Sequence, residues 1–299
     1  MDNLTRLGID IGGTFIKFAV LKNGEMLYKD SIPTNQESDT KLLGEIIEKS
    51  KEIMKDFPVE RIGVGVPGRI ENGTVLSGNL PFKQTPVESI LKDAFLEIPV
   101  TVQNDANCAA LGEVLFGAGK NYENVVMVTL GTGIGGGIVL ERRIAPGNKR
   151  IGEIGHMIVM AKGGRECPCG LSGCWEQYAS VTALIREATE VALLNKQDLL
   201  YKKYIDNGEK LDGKLIFEAL DEGSELAKQV VSDYIDWLKV GIESLVKIFA
   251  PDSIILAGGI TKQGDRLIGE LEKRAITKGA KIEISLLQND AGRLGAAML

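Results

Sequence analysis

The stretch "LGIDIGGTFIKFAVL", residues 7–21, decides how this chain is read. Two apolar runs flank Gly12-Gly13-Thr14, a pattern that predicts a β-hairpin whose turn uses glycine dihedrals. Residues 125–140, "VVMVTLGTGIGGGIVL", repeat the design as strand, Gly-Thr-Gly turn and strand. A third apolar run enters glycines at "SIILAGGI", residues 253–260. Such repetition points to a duplicated α/β unit rather than a single open sheet.

Helical stretches lie between these runs. In "KLLGEIIEKSKEIMKDF" (41–57), Leu42, Leu43, Ile46, Ile47, Ile53, Met54 and Phe57 recur at helical spacing. "TPVESILKDAF" predicts a capping box, with Thr85 as N-cap, Pro86 at the first helical position and Glu88 closing it. The strand "PVTVQ" (99–103) leads into "NDANCAALGEVLFG", a helix starting at Asn104-Asp105. A long amphipathic helix is expected from 224 to 250, ended by Pro251. The best domain break is the glycine-containing "FGAGKNYEN" near 116–124.

Composition narrows the classes. The chain's 299 residues are enough for two domains, and 44% apolar with 25% charged residues is an ordinary globular balance. A net charge of −6 argues against broad nucleic-acid or membrane-surface binding. No signal peptide and no membrane-crossing run is visible, and four cysteines make no disulfide scaffold. The expected location is cytoplasmic, where clustered thiols more often hold metal.

Glycine-rich turns let backbone N–H groups face phosphate oxygens without an intervening side chain. One such turn alone would pass for a tight hairpin. Two turns plus "AGG" make a nucleotide site the stronger reading. Asp10 precedes the first turn and is suited to orient Mg²⁺, while Thr14 and Thr132 offer hydroxyls and Lys17 offers charge. There is no Walker A motif, and "GTGIGGG" runs into a strand where a dinucleotide fingerprint would open a helix.

"DIGGT", "GTGIGGG", "NDANCAALGE", "GEIGH" and "CPCGLSGCWEQYAS" together resemble the ROK family of sugar kinases and related repressors, with "ILAGGI" extending the match. That family lies within the actin-like, sugar-kinase and Hsp70 superfamily. The resemblance implies an α/β fold of two lobes, the actin-like (ribonuclease H-like) ATPase fold. Each lobe would hold a mixed five-stranded sheet with flanking helices. The smaller lobe is expected at 1–118 plus 290–299, and the larger at 119–289 with the metal site and second phosphate loop. ATP is expected in a cleft, its phosphates on Gly12, Gly13 and Thr14 and on Gly131, Thr132 and Gly133, with Gly258 and Gly259 near the adenosine.

Asp105 stands where a strand ends and a helix begins, a usual place for functional groups. Phosphoryl transfer to an alcohol needs a carboxylate to take the hydroxyl proton, and Asp105 has that chemistry. By itself the Asn-Asp pair also reads as a helix cap. The resemblance favours catalysis, since the family's base is the Asp of this pair, and it gives Asn104 a sugar-hydroxyl contact. Cys108 reads as a small buried hydrophobe without chemistry.

His156, the only histidine, stands near Cys167, Cys169 and Cys174, three of the four cysteines. These are the ligand types of a closed Cys₃His structural zinc site, with Gly170 and Gly173 allowing the bends. An iron–sulfur cluster would want a fourth nearby cysteine. Metal on one imidazole nitrogen leaves the other to donate a hydrogen bond. In the resembled kinases the Glu, His and Glu matching Glu153, His156 and Glu176 contact the sugar, and Gly68 and Asn79 match sugar-lining positions.

The expected function is therefore ATP-dependent phosphorylation of the 6-hydroxyl of a hexose, glucose before others. The alternatives are an N-acetylmannosamine or other hexose kinase, a sugar-responsive repressor, and an actin-like or chaperone-like ATPase. Repressors of this kind carry an N-terminal helix-turn-helix, whereas here the first phosphate strand starts by residue 7, so no nucleic-acid partner is expected. No membrane partner is expected either, and the resemblance implies a homodimer or homotetramer. The stretch 195–213 has no functional account.

Overall fold

The computed structural model describes residues 3–147 and 151–299. The opening hairpin pairs β1 (Thr5–Ile11) with β2 (Phe15–Lys22), closing at Ile11 opposite Ile16. A turn at Asn23-Gly24, both at positive φ, returns the chain as β3 (Glu25–Pro33) along β2. Helix α1 (Asp39–Asp56) starts on Ser38, whose side chain accepts from Lys41 N–H, and buries Leu42, Leu43, Ile46 and Ile53. Strand β4 (Arg61–Val66) then runs parallel to β1.

A small three-stranded sheet follows that sequence patterning did not reveal: β5 (Arg69–Glu71), β6 (Thr74–Leu76) and β7 (Lys83–Thr85). Helix α2 (Val87–Ala94) has Pro86 as its N-cap and no side-chain capping bond. The capping box expected at Thr85 is therefore not formed. Thr85 belongs to β7, and its hydroxyl donates to Asp39 Oδ2 at 2.8 Å, while Glu88 N–H is taken by Gly73 O at 3.1 Å. Strand β8 (Val100–Asn104) joins β4 in parallel and passes into α3 (Asp105–Phe116). The first sheet thus has the order β3-β2-β1-β4-β8. Its core gathers Leu7, Ile9, Phe18, Ile62 and Val64 with the apolar stripe of α1.

The second half repeats the theme. It begins with β9 (Val125–Leu130), β10 (Ile134–Leu140) and β11 (Arg143–Ile144). After the cysteine segment come α4 (Glu176–Ala179), α5 (Val181–Leu194), α6 (Gly213–Asp221) and α7 (Glu225–Phe249). Helix α7 is capped by Ser224 and ends at Ala250, which adopts the left-handed conformation before Pro251. The chain closes with β12 (Ser253–Ala257), α8 (Ile268–Arg274), β13 (Lys281–Ile284) and α9 (Ala291–Ala297). The second sheet is ordered β11-β10-β9-β12-β13, the same winding as the first. The duplicated α/β architecture read from the glycine turns is what the chain adopts.

The chain divides into two compact units. The first holds the chain up to Val125 with Gly137–Gly152 and Ser285–Leu299; the second holds Val126–Gly136 and Glu153–Ile284. The first unit reaches past the expected limits of 118 and 290. Asn107 accounts for the inner segment, and Glu113 of α3 accounts for the C-terminal one, accepting from Ser285 Oγ at 2.5 Å and Leu287 N–H at 2.8 Å. Buried Asn107 of α3 accepts from Ile138 N–H at 3.3 Å and donates to Ile151 O at 3.0 Å, tying 137–152 to α3. Helix α9 lies so close to α3 that a Cβ on Gly295 would stand 1.7 Å from Cys108 O, an approach only glycine permits. Among the described residues no helix is long and apolar enough to cross a membrane.

Candidate active site and metal centre

In the first unit the carboxyl ends of three parallel strands lie side by side. Asp10 of β1 pairs in register with Gly65 of β4, and the next residue, Val66, pairs with Asn104 of β8. This edge of a parallel sheet is where α/β folds place their ligands. Asp10 is buried and lies 3.3 Å from Lys17 Nζ across the hairpin. Burial raises its pKa, and the Lys17 charge opposes the rise. Lys17, expected to meet phosphate, is thus an ion-pair partner of Asp10.

The Gly12–Thr14 turn is held by its carbonyls. Thr34 Oγ1 donates to Gly12 O at 2.7 Å, Gln36 Nε2 to Gly13 O at 2.8 Å, and Thr34 N–H to Thr14 O at 2.9 Å. Among the described residues no acceptor meets the N–H groups of Gly13 or Thr14, and both residues are exposed. Such a turn offers N–H groups to an anion. Gln36 Nε2 also reaches Asn79 O at 3.4 Å, so expected phosphate and sugar positions meet through a residue the sequence did not single out. Gly68 has φ +117°, and a Cβ there would lie 2.5 Å from Leu76 O, so the β4–β5 corner requires glycine.

Asn104, not Asp105, caps α3. Its Oδ1 accepts from Ala106 N–H at 2.9 Å and Asn107 N–H at 3.2 Å. The helix start is therefore satisfied without the Asp105 carboxylate. Cys108, one turn on, is fully buried, and burial first, then the Asp10 and Asp105 charges, holds its thiol well above the usual range. It is an inert hydrophobe, as its Ala-rich helix implied.

In the second unit the Gly131–Gly133 turn and the chain after β12 line one cavity of about 390 Å³. Gly131, Thr132 and Gly259 border it, with Thr182, Asp212, Lys214 and Gln263 adding polar groups and Ile185 and Ile260 apolar ones. Gly258 beside it has φ +114° and would drive a Cβ to 2.0 Å from Leu130 O. An apolar slot with few polar groups suits a flat heterocycle. Asp212 belongs to the stretch 195–213 that sequence reading left unassigned and Lys214 follows it directly; only tertiary structure brings them here. Glu176 approaches the same turn: its Oε2 accepts from Ile134 N–H at 2.9 Å.

The metal ligands expected from sequence come together. One ligand atom each from His156, Cys167, Cys169 and Cys174 lies within 4.8 Å of all the others. Cys169 and Cys174 sulfurs are 3.6 Å apart, and Cys167 Sγ is 3.5 Å from His156 Nδ1. A tetrahedron with metal–sulfur distances of ~2.3 Å has S···S edges of roughly 3.8 Å, so the donor set fits one ion. Gly170 and Gly173, at φ +91° and +83°, make the bends between ligands. With Nδ1 turned to the sulfurs, His156 Nε2 lies on the side of Glu153 Oε2, 3.8 Å away and beyond hydrogen-bond distance.

Two repeated mixed sheets with glycine turns and a strand-end carboxylate define the actin-like ATPase fold. The ROK family profile matches residues 6–299, and the chain belongs to the ROK family. A glucokinase of Halalkalibacterium halodurans is 36% identical, the match covering 98% of this chain and 94% of that one. A xylose repressor of Caldicellulosiruptor bescii is 30% identical over 97% of this chain and 76% of its own length. Among solved structures, a ROK family glucokinase from Streptomyces griseus in complex with glucose and AMPPNP superposes with a TM-score of 0.76 at 30% identity, covering 98% of each chain.

Proposed function

We propose that this protein is a hexose kinase that transfers the terminal phosphoryl group of Mg·ATP to a sugar 6-hydroxyl, with glucose as its preferred substrate. The observation that carries the reading is the division of roles at the start of α3: Asn104 takes the capping bonds, so the helix start does not depend on the Asp105 carboxylate. Asp105 accepts the hydroxyl proton as the new P–O bond forms. The N–H groups of the Gly12–Thr14 and Gly131–Gly133 turns receive phosphate oxygens, and the cavity beside Gly259 takes the adenine. Asp10 holds Mg²⁺, which supplies charge neutralisation at the phosphates when bound. Gly68, Asn79, Asn104, Glu153, His156 and Glu176 meet the sugar hydroxyls. Zinc on His156, Cys167, Cys169 and Cys174 is structural, fixing the imidazole and its loop.

Similarity to a glucokinase and to a glucose-bound, AMPPNP-bound glucokinase structure supports this substrate and donor. Similarity to a xylose repressor supports a second reading, a sugar-sensing regulator without turnover. A panel of hexoses with Mg·ATP, followed by ADP release, separates them. Glucose-dependent ADP formation exceeding that with N-acetylmannosamine is expected. Sugar binding without ADP release would favour the regulator, and ADP release independent of sugar would contradict both.

A further inference from the structure

We propose that Glu176 is a positioning residue for the second glycine turn, holding it in the conformation that receives nucleotide phosphates; this rests on reading that turn as a phosphate loop. A turn of glycines has more backbone freedom to lose than any other, so a preformed phosphate site needs an external restraint. The segment from Cys174 to Val181 supplies it at both ends. Glu176 Oε2 accepts from Ile134 N–H at 2.9 Å, and Val181 N–H donates to Gly131 O at 2.9 Å. Gly133 leaves the space for this: a Cβ there would lie 2.2 Å from Glu176 Oε2.

The segment is itself anchored. Cys174 is one of the four clustered ligands and is fully buried. Trp175 is fully buried too, and its Nε1 donates to Trp237 O at 2.7 Å. Its ring fills the space beside Gly241, where a Cβ would stand 2.0 Å from Cε2. Glu176 therefore extends from a fixed base. A carboxylate this close to an anion site repels phosphate. Its presence is understandable if its acceptor oxygen is what matters to the turn.

Charge and hydrogen bonding at Glu176 can be separated. Mg·ATP binding to the metal-loaded protein, measured by calorimetry without sugar, is the test. Glu176→Ala is expected to weaken binding by about tenfold, the loss typical of a hydrogen bond to a charged acceptor. Glu176→Gln keeps an acceptor and removes the charge, so its affinity should match or exceed the original. Gly133→Ala should weaken binding in the original background and add little in the Glu176→Ala background, because both break one contact. Metal content and circular dichroism report whether each variant keeps its fold. Should Glu176→Ala lose it, Gly133→Ala compared with and without Glu176→Gln carries the test, and equal affinity throughout would overturn the proposal. Unchanged or tighter binding by a folded Glu176→Ala would also overturn it and leave Glu176 as a sugar contact alone. No nucleotide binding by the original protein would overturn the phosphate-loop reading and this inference with it.

Discussion

At the scale of single residues, Asn104 holds the cap of α3, a task Asp105 could also perform, and the proposed function assigns the chemistry to Asp105. Asn104 Oδ1 receives two N–H groups of the first turn of α3. Asn104→Ala should therefore destabilise the fold by about 1 kcal/mol, read from denaturant midpoints. Asp105→Asn should lower kcat by at least about 100-fold. Equal kcat in the two proteins would remove Asp105 from the chemistry. The sequence displayed both residue types at a strand–helix junction but not which one capped, because an Asx cap is decided by side-chain rotamers. Asn107 and Glu113 of the same helix went unread for a different reason. Fully buried Glu113 accepts from Ala118 N–H at 2.8 Å, Ser285 Oγ at 2.5 Å and Leu287 N–H at 2.8 Å. Two of those partners lie more than 170 residues away in sequence, beyond any local pattern. Glu113→Ala should cost at least about 3 kcal/mol, since it strands several buried donors at once.

Elements with local signals were legible. Both glycine-turn hairpins, the stripe of α1 and the Ser224–Pro251 limits of α7 follow from periodicity and punctuation. The sheet of β5, β6 and β7 was not, because three-residue strands carry no measurable alternation. The capping box at Thr85 failed because Thr85 is claimed by Asp39 of α1. That hydroxyl, followed by the Thr40 N–H, lowers the Asp39 pKa. A depressed carboxylate stabilises the fold above its unfolded pKa, and the gain is lost as pH falls through the folded value. The stability advantage of the original protein over Thr85→Val should thus be full at neutral pH and shrink in acid, measured by urea midpoints. An advantage that grows in acid would contradict the assignment. On the proposed function the cysteine segment is held together as an element by zinc on His156, Cys167, Cys169 and Cys174. Chelation should release one equivalent of zinc per chain and lower the melting temperature, with protons taken up as the thiolates are freed.

For the whole molecule, the repeated sheet order follows from a repeated sequence device, strand–glycine turn–strand, placed once in each half. That repetition was visible in the sequence. The extent of the units was less so, because Asn107 ties Ile138 and Ile151 to α3 and Glu113 ties Ser285 and Leu287 to it. Within the second unit, residues 130–132, 212–214 and 259–263 converge on one cavity only in the folded chain. The proposed function requires this molecule to move a phosphoryl group to a hexose. Phosphorus NMR of the purified protein with glucose and Mg·ATP tests it most directly. The terminal phosphate signal of ATP should be replaced, one for one, by that of a sugar 6-phosphate ester. Release of inorganic phosphate instead, or an unchanged spectrum while glucose is bound, would contradict it.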